Sequence, residues 1–312
     1  MMPKTINRVS KLTMILLVFG FLALVGCQTT PPATQVFETK DNFTKKTAPE
    51  AKTVPIDERT ILVDARPPFA HSLSHPSRSL SIQWSDFTEK EAPFEGTLEK
   101  DLFFHARRLA RMGIGPDSDI LVLGSGRAGT GEEGRLAWTF RRMGLKKVRF
   151  ASLESIRATM TNQEAPPPTE VPTWKPQEDV SLEIKRLDAI AEIQKEKAEI
   201  LVIDVREEKD YLASADLFHK MNLAPKLINI PWAEFLNELG TASIKVEAKL
   251  RAIGVAKSTR ILVIDEKGVK SAGATLVLRD LGFTKATNWA GGFREINWFL
   301  ENQAPALKRM SR

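Results

Sequence analysis

The chain repeats itself, and the repeat restricts what it can fold into. Ile61-Leu62-Val63-Asp64-Ala65-Arg66 is answered by Leu201-Val202-Ile203-Asp204-Val205-Arg206. Each is a short apolar run ending in charge, the pattern of a parallel strand buried on both faces. Leu80-Ser81-Ile82-Gln83-Trp84 is answered by Ile228-Asn229-Ile230-Pro231-Trp232, with Phe87 and Phe235 three residues further on. Residues 109–123 (LARMGIGPDSDILVL) are matched by residues 250–264 (LRAIGVAKSTRILVI): a helix end, a glycine turn and a second buried strand. Phe140-Arg141-Arg142-Met143-Gly144 pairs with Leu278-Arg279-Asp280-Leu281-Gly282, an amphipathic helix closing on a glycine that can adopt the left-handed cap. Strands alternating with helices at this spacing predict two α/β units, each a mainly parallel open sheet with helices on both faces. Ligands of such sheets sit at the carboxyl ends of the strands.

The segments outside the repeats read differently. Residues 161–179 carry Pro166-Pro167-Pro168, Pro172 and Pro176, which exclude helix and central strand and predict a stiff linker. Trp174 within it is expected to pack on a neighbouring unit. Residues 28–55 are rich in Thr, Pro and Lys, with scattered apolar residues, and read as a disordered tether. The predicted organisation is therefore 1–27 as a leader, 28–55 as the tether, 56–160 as the first unit, 161–179 as the linker and 180–306 as the second unit.

The leader has a basic start, Lys4, Arg8 and Lys11, and an apolar run over residues 14–24 that is short for a bilayer span. It ends in Leu24-Val25-Gly26-Cys27, which resembles the lipobox of bacterial lipoproteins. That resemblance implies a lipidated Cys27 at the mature N-terminus, and a protein exported and anchored to a membrane. Gln28 after Cys27 implies outer-membrane sorting, on the periplasmic side, where two membranes exist. An uncleaved anchor is the alternative, and either form tethers the chain to a membrane. The net charge of +6 falls to +3 without the three leader cations. No basic face interleaved with aromatics stands out, so nucleic acid is not an expected partner. A protein partner in the cell envelope is.

Taken together, the repeated segments resemble tandem rhodanese-like proteins over most of residues 56–306. The resemblance is carried by residues 201–206, by Ile228 to Trp232, by Gly268-Val269-Lys270-Ser271 with Leu278 to Phe283, and by Asn288-Trp289-Ala290-Gly291-Gly292-Phe293 ending at Trp298. The first copy is more divergent: it keeps Asp64, Arg66, His75 and Trp84 but lacks the double glycine. The family implies a loop after the residue 261–264 strand in which a cysteine nucleophile is ringed by backbone N–H groups and a helix N-terminus. Such a setting lowers a thiol pKa and holds an anion. In this chain the loop, Asp265, Glu266, Lys267, Gly268, Val269 and Lys270, has the family length, but Asp265 stands at the nucleophile's position. Lys270 stands where an arginine would orient the anion. The equivalent position in the first copy is Gly124, in a loop about three residues longer that includes Gly126 and Arg127.

Cys27 is the only cysteine of the chain. Sulfur transfer through a protein persulfide needs a polarisable sulfur, which a carboxylate cannot replace, and cysteine-dependent phosphatase chemistry fails for the same reason. The expectation is that the Asp265 carboxylate itself fills the amide cradle and that the chain binds or scaffolds rather than catalyses. Two alternatives stay open: sulfur or phosphoryl transfer by a non-cysteine group, and a sensor of small anions or sulfur compounds at the Gly124 loop. No cofactor and no metal are called for. Gly124-Ser125-Gly126-Arg127-Ala128-Gly129 fits a dinucleotide template, yet the acid expected after the next strand is missing from Val148-Arg149-Phe150-Ala151. His71 and His75 are four apart, but Pro67, Pro68 and Pro76 argue against a helix there and against metal ligation. His75 is expected to pack in a turn or core, as Trp84, Trp232, Trp289 and Trp298 are in the cores. Asp64 with Arg66, and Asp204 with Arg206, are expected to orient loops. Residues 207–226, holding His219, form an insertion suited to a partner or to plain surface.

Overall fold

The computed structural model describes residues 53–193, 200–214 and 227–310. Cys27, the leader, nearly all of the tether, and His219 with most of its insertion lie outside the described residues.

In the first repeat, β1 (Ile61–Asp64), β3 (Leu80–Ser81), β4 (Ile120–Gly124) and β5 (Val148–Ser152) form a sheet in the order β3-β1-β4-β5, every pair parallel. Between them run α1 (Pro68–Leu73), the two-residue β2 (His75–Pro76), α2 (Leu102–Arg111) and α3 (Glu132–Arg142), and β6 (Met160–Thr161) pairs antiparallel with β2. The second repeat opens with α4 (Arg186–Ile193) and carries β7 (Ile200–Asp204), α5 (Glu208–Ala213), β8 (Leu227–Asn229), α6 (Ile244–Ala252), β9 (Arg260–Ile264), α7 (Lys270–Asp280), β10 (Ala286–Asn288) and α8 (Gly292–Met310). Its sheet has the corresponding order, β8-β7-β9-β10, again all parallel. The registers correspond too: Asp64 pairs with Leu123, and Asp204 with Ile264. Gly124 and Asp265 are therefore the next residues of equivalent strands.

β4 and β7 are buried along their whole length, as their unbroken apolar runs require. One apolar cluster draws on both repeats, including Val63, Val122, Trp138, Ile203, Trp232 and Val263. The repeats meet where α3 crosses α7. A side chain on Gly134 would lie 2.7 Å from the Cα of Gly273, so the backbones approach as closely as glycine permits. Each repeat also covers the other's β4-type loop. The segment after Phe87, closed by the Thr88–Leu98 bridge, reaches Lys267 and Ala290; the segment after Phe235, closed by the Leu236–Ala242 bridge, accepts at Leu239 O from Ser152 N–H, 2.9 Å away.

Residues 162–179 hold no helix or strand and lie along the first repeat, with Val171 N–H donating to Ala110 O and Trp174 Nε1–H to Ile114 O, both 3.0 Å. Trp232 and Trp289 are buried, and Trp84 and Trp298 half-buried. The expectation of no helix around His71 is corrected. Pro68 opens α1, where a missing N–H costs nothing, and His71 falls inside that helix. His75 lies beyond its end on β2, its ring stacked on that of His71 at 3.9 Å. Its Nδ1 and Nε2 face the carbonyl oxygens of His71 and Gln163 at 2.8 and 3.1 Å, so the ring is a turn anchor.

Candidate functional site

β9 delivers Asp265 to the carboxyl end of the second sheet, and α7 starts five residues later. Asp265 is buried at 3% exposure. Its Oδ1 accepts from the N–H groups of Lys267 (3.1 Å) and Gly268 and from Ser271 Oγ (3.2 Å); its Oδ2 accepts from the N–H groups of Lys270 (2.6 Å) and Ser271 (3.3 Å). Four backbone donors thus converge on one carboxylate. Lys270 and Ser271 are first-turn residues of α7 whose N–H groups have no intrahelical acceptor, and the helix dipole adds to the attraction. Ser271 Oγ lies 2.6 Å from the end of the Asn288 side-chain amide on β10; the hydroxyl has one proton, and donating it to Asp265 requires that amide to present its NH₂ to Oγ.

The double glycine closes the loop from the other side. Gly292 adopts φ +56°, and the N–H groups of Phe293 and Arg294 at the start of α8 donate to the carbonyls of Asp265 (2.9 Å) and Glu266 (3.0 Å). Any side chain at Gly292 would run into those same carbonyls.

The remaining predicted loop residues split by exposure. Gly268 and Val269 are buried, Glu266 is exposed, and Lys267 and Lys270 are half-buried. Together with Trp84, Thr130 and Glu132 of the first repeat and Arg206, Glu207, Asp210, Ala213 and Ser214 of the second, the loop lines a cleft of about 640 Å³. The Asp204–Arg206 pair stands at its edge in a bidentate contact, Nη2 at 2.8 Å and Nε at 3.1 Å, with the Arg206 guanidinium 3.5 Å over the Phe293 ring. Asp64 and Arg66 form the same pair in the first repeat, with Nη2 at 2.7 Å.

The Gly124 loop is built the opposite way. Gly124 and Gly126 are buried and Arg127 is exposed. The space a side chain on Gly124 would occupy is filled by the carboxylate of Glu133, the second residue of α3. α3 and α7 start at Glu132 and Lys270, so Glu133 corresponds to Ser271. One repeat places its acid on the strand and a hydroxyl on the helix; the other leaves the strand bare and places the acid on the helix. Glu133 is fully buried, and burial outweighs the pull of the nearby backbone N–H groups of Glu133 itself and Gly126, pushing its pKa up to about 8. The loop that fits the dinucleotide template thus lies over a buried acid.

Reading the sequence missed Arg135, which occupies the α3 position held by Gly273 in α7. Fully buried, it reaches from the first repeat to the second: Nη1 donates to Gly268 O at 2.8 Å and Nη2 to Gly96 O at 2.6 Å, while the guanidinium lies 4.7 Å from the Trp138 ring centre. Burial brings its pKa down to about 10, against the pull of Glu183 and Asp265. The offset between the repeats was the available signal, since it puts a cation in one copy where the other has no side chain. Among the described residues no group of three or more His, Cys, Asp or Glu is placed to hold a metal ion, and no helix is long and apolar enough to cross a membrane.

Two parallel sheets in matching order, each flanked by helices and followed by a strand-to-helix loop, make the fold rhodanese-like. Residues 187–297 match the family model of the rhodanese-like domain. Solved structures similar to this chain include SseA from Escherichia coli, a 3-mercaptopyruvate sulfotransferase, at 18% identity and TM-score 0.60, covering 76% of this chain and 93% of that one. A probable thiosulfate sulfurtransferase is similar at 20% identity and TM-score 0.51, covering 77% and 94%. EanB in complex with ergothioneine is similar at 15% identity and TM-score 0.60, covering 80% of this chain but 64% of that one. No curated protein matches the chain.

Proposed function

We propose that this chain is a rhodanese-fold binding or scaffold protein without sulfur-transfer chemistry, exported and held at the cell envelope by lipid on Cys27. The observation that carries the reading is the Asp265 carboxylate, which takes up the four N–H groups and the hydroxyl that an active loop would offer to a substrate anion. A carboxylate so placed repels a second anion and supplies no sulfur. The sequence has no cysteine other than Cys27 to serve as nucleophile.

The test is a cyanide-dependent thiosulfate assay on the protein and on Asp265→Cys. The unmodified chain is expected to show no turnover, and the variant to gain some, because a thiol at that position would meet the same amides. Turnover by the unmodified chain refutes the reading. The anchor is tested separately, by fatty-acid labelling of the protein and of Cys27→Ser; labelling that persists in the variant refutes it. Pull-down with the lipidated protein from its native membrane identifies the partner.

A further inference from the structure

α2 carries a surface that the rest of the first repeat leaves uncovered. At about 100° per residue, Phe103, Phe104, Arg107 and Arg111 fall within one arc of about 100°, while Leu102, Ala106 and Leu109 lie on the opposite side and are buried. All four outward residues are exposed, Phe103 and Phe104 at 45% each. The Arg107 guanidinium lies 5.5 Å from the centre of the Phe103 ring and 6.0 Å from that of Phe104, and Lys100 stands exposed just ahead of the helix. Read along the chain these residues are scattered; the helix gathers them into a basic, aromatic face that the sequence does not announce. The neighbouring acids are already engaged: Asp101 caps α2 by accepting from Phe104 N–H, Glu99 is bonded to His105, and Asp86 holds Arg108. Among the described residues no carboxylate pairs with Lys100, Arg107 or Arg111.

This face belongs to the first repeat alone. Extending the match of residues 109–123 with residues 250–264 back along the helix sets Ile244, Lys245, Ala248 and Ala252 of α6 against Phe103, Phe104, Arg107 and Arg111. Of these only Lys245 is charged, and the other cations in the last turn of α6 are paired, Lys249 with Glu234 and Arg251 with Glu247. α2 lies on the Val63–Val122 face of the first sheet, whereas the entering chain covers the other face, with Val54 against Leu62 and Leu121. The 25 residues between Cys27 and Thr53 can span up to about 85 Å, against roughly 45 Å across a compact domain of this length. An anchor at Cys27 therefore reaches a bilayer on the α2 side.

Aromatic rings set among unpaired cations on one side of a surface helix suit one occupant. Phenylalanine rings sink into the boundary between headgroups and acyl chains, and arginines and lysines attract anionic headgroups. We propose that the α2 face of the first repeat docks on an anionic phospholipid surface, so that the folded part lies against the membrane and does not hang free from its anchor. The inference rests on the reading that Cys27 carries lipid, which brings a bilayer within reach.

The experiment is hydroxyl-radical footprinting of the full chain, reconstituted from detergent into vesicles of phosphatidylcholine alone or of phosphatidylcholine with phosphatidylglycerol. Labelling of Phe103 and Phe104 is expected to fall about threefold in the anionic vesicles and to stay high in the neutral ones, while the exposed Ile244 stays labelled in both. Raised salt, or the double variant Arg107→Gln, Arg111→Gln, is expected to restore the labelling. Equal labelling of the two phenylalanines in both vesicles, protection that survives in the charge variant, or equal protection of Ile244 overturns the proposal. So does equal protection by single-stranded DNA added to the detergent-solubilised chain, which would make the face a nucleic-acid site. The anchor is read separately, by fatty-acid labelling of Cys27. A lipidated chain with unprotected phenylalanines removes this inference alone; an unlipidated chain still protected in anionic vesicles removes the anchor alone.

Discussion

The guanidinium of Arg135 in the first repeat donates to the carbonyl oxygen of Gly268 in the second, 2.8 Å away, inside the loop that holds Asp265. Its other terminal nitrogen holds Gly96, whose backbone abuts Lys267 and Ala290. The first repeat therefore acts as a clamp on the loop of the second.

Removing that clamp has a measurable cost. Arg135→Ala leaves two buried carbonyls without donors and a cavity against Trp138, a loss on the order of 3–5 kcal/mol in denaturant unfolding. Hydrogen exchange should rise across residues 266–271 more than across β1 or β4. Equal exposure everywhere would mean that Arg135 supports the fold in general and not this loop.

Glu133 predicts a pH dependence. Its pKa is about 8 in the folded chain, against the ordinary 4.5 of a glutamate in water, so the folded state keeps a proton that the unfolded state gives up over that interval. The protonated group's contribution is fully present below pH 4.5. It is lost as pH rises towards 8, at up to about 1.4 kcal/mol per pH unit, and is constant above. Glu133→Gln keeps the shape and removes the titration, so unfolding free energies of the variant and parent should converge at low pH and separate, variant higher, by pH 8. Parallel curves would show that Glu133 is ionised in the fold.

Much of this was legible in the chain itself. Buried parallel strands announce themselves by unbroken apolar runs, and the match of residues 109–123 with residues 250–264 placed Gly124 and Asp265 at equivalent strand ends. What stayed hidden was whatever depends on packing across the repeats. Nothing local in Gly-Arg-Leu marks Arg135 as an arginine that crosses to another loop, and Glu133 reads as an ordinary first-turn acid until its carboxylate is found in the space left by Gly124. The helix at His71 was missed because proline was weighed as a breaker and not as an opening residue.

Gly96 tests the closure of the site by the first repeat. A methyl group there would collide with the backbone carbonyls of Lys267 and Ala290, neither of which is the end of a flexible side chain. Gly96→Ala should therefore destabilise by about 2–4 kcal/mol and move Trp84 relative to Lys267, seen as a change in tryptophan fluorescence. A neutral substitution would show that the segment over residues 88–98 is free to lift.

Stability alone reports whether the Asp265 carboxylate fills the cradle. Asp265→Asn is nearly isosteric but replaces one acceptor oxygen with an NH₂ group facing the N–H groups of the cradle. Donor would meet donor, or one side of the cradle would go unsatisfied, and the attraction to the α7 dipole would be lost. A loss on the order of 2–4 kcal/mol is expected, larger than for Asp265→Ser, whose smaller hydroxyl leaves room for water to serve the same amides. Added sulfate should then recover stability in Asp265→Ser and leave the parent unchanged, because only the variant has an open seat for an anion. If sulfate stabilises the parent equally, the carboxylate does not fill the cradle in solution, and the loop is a working anion site.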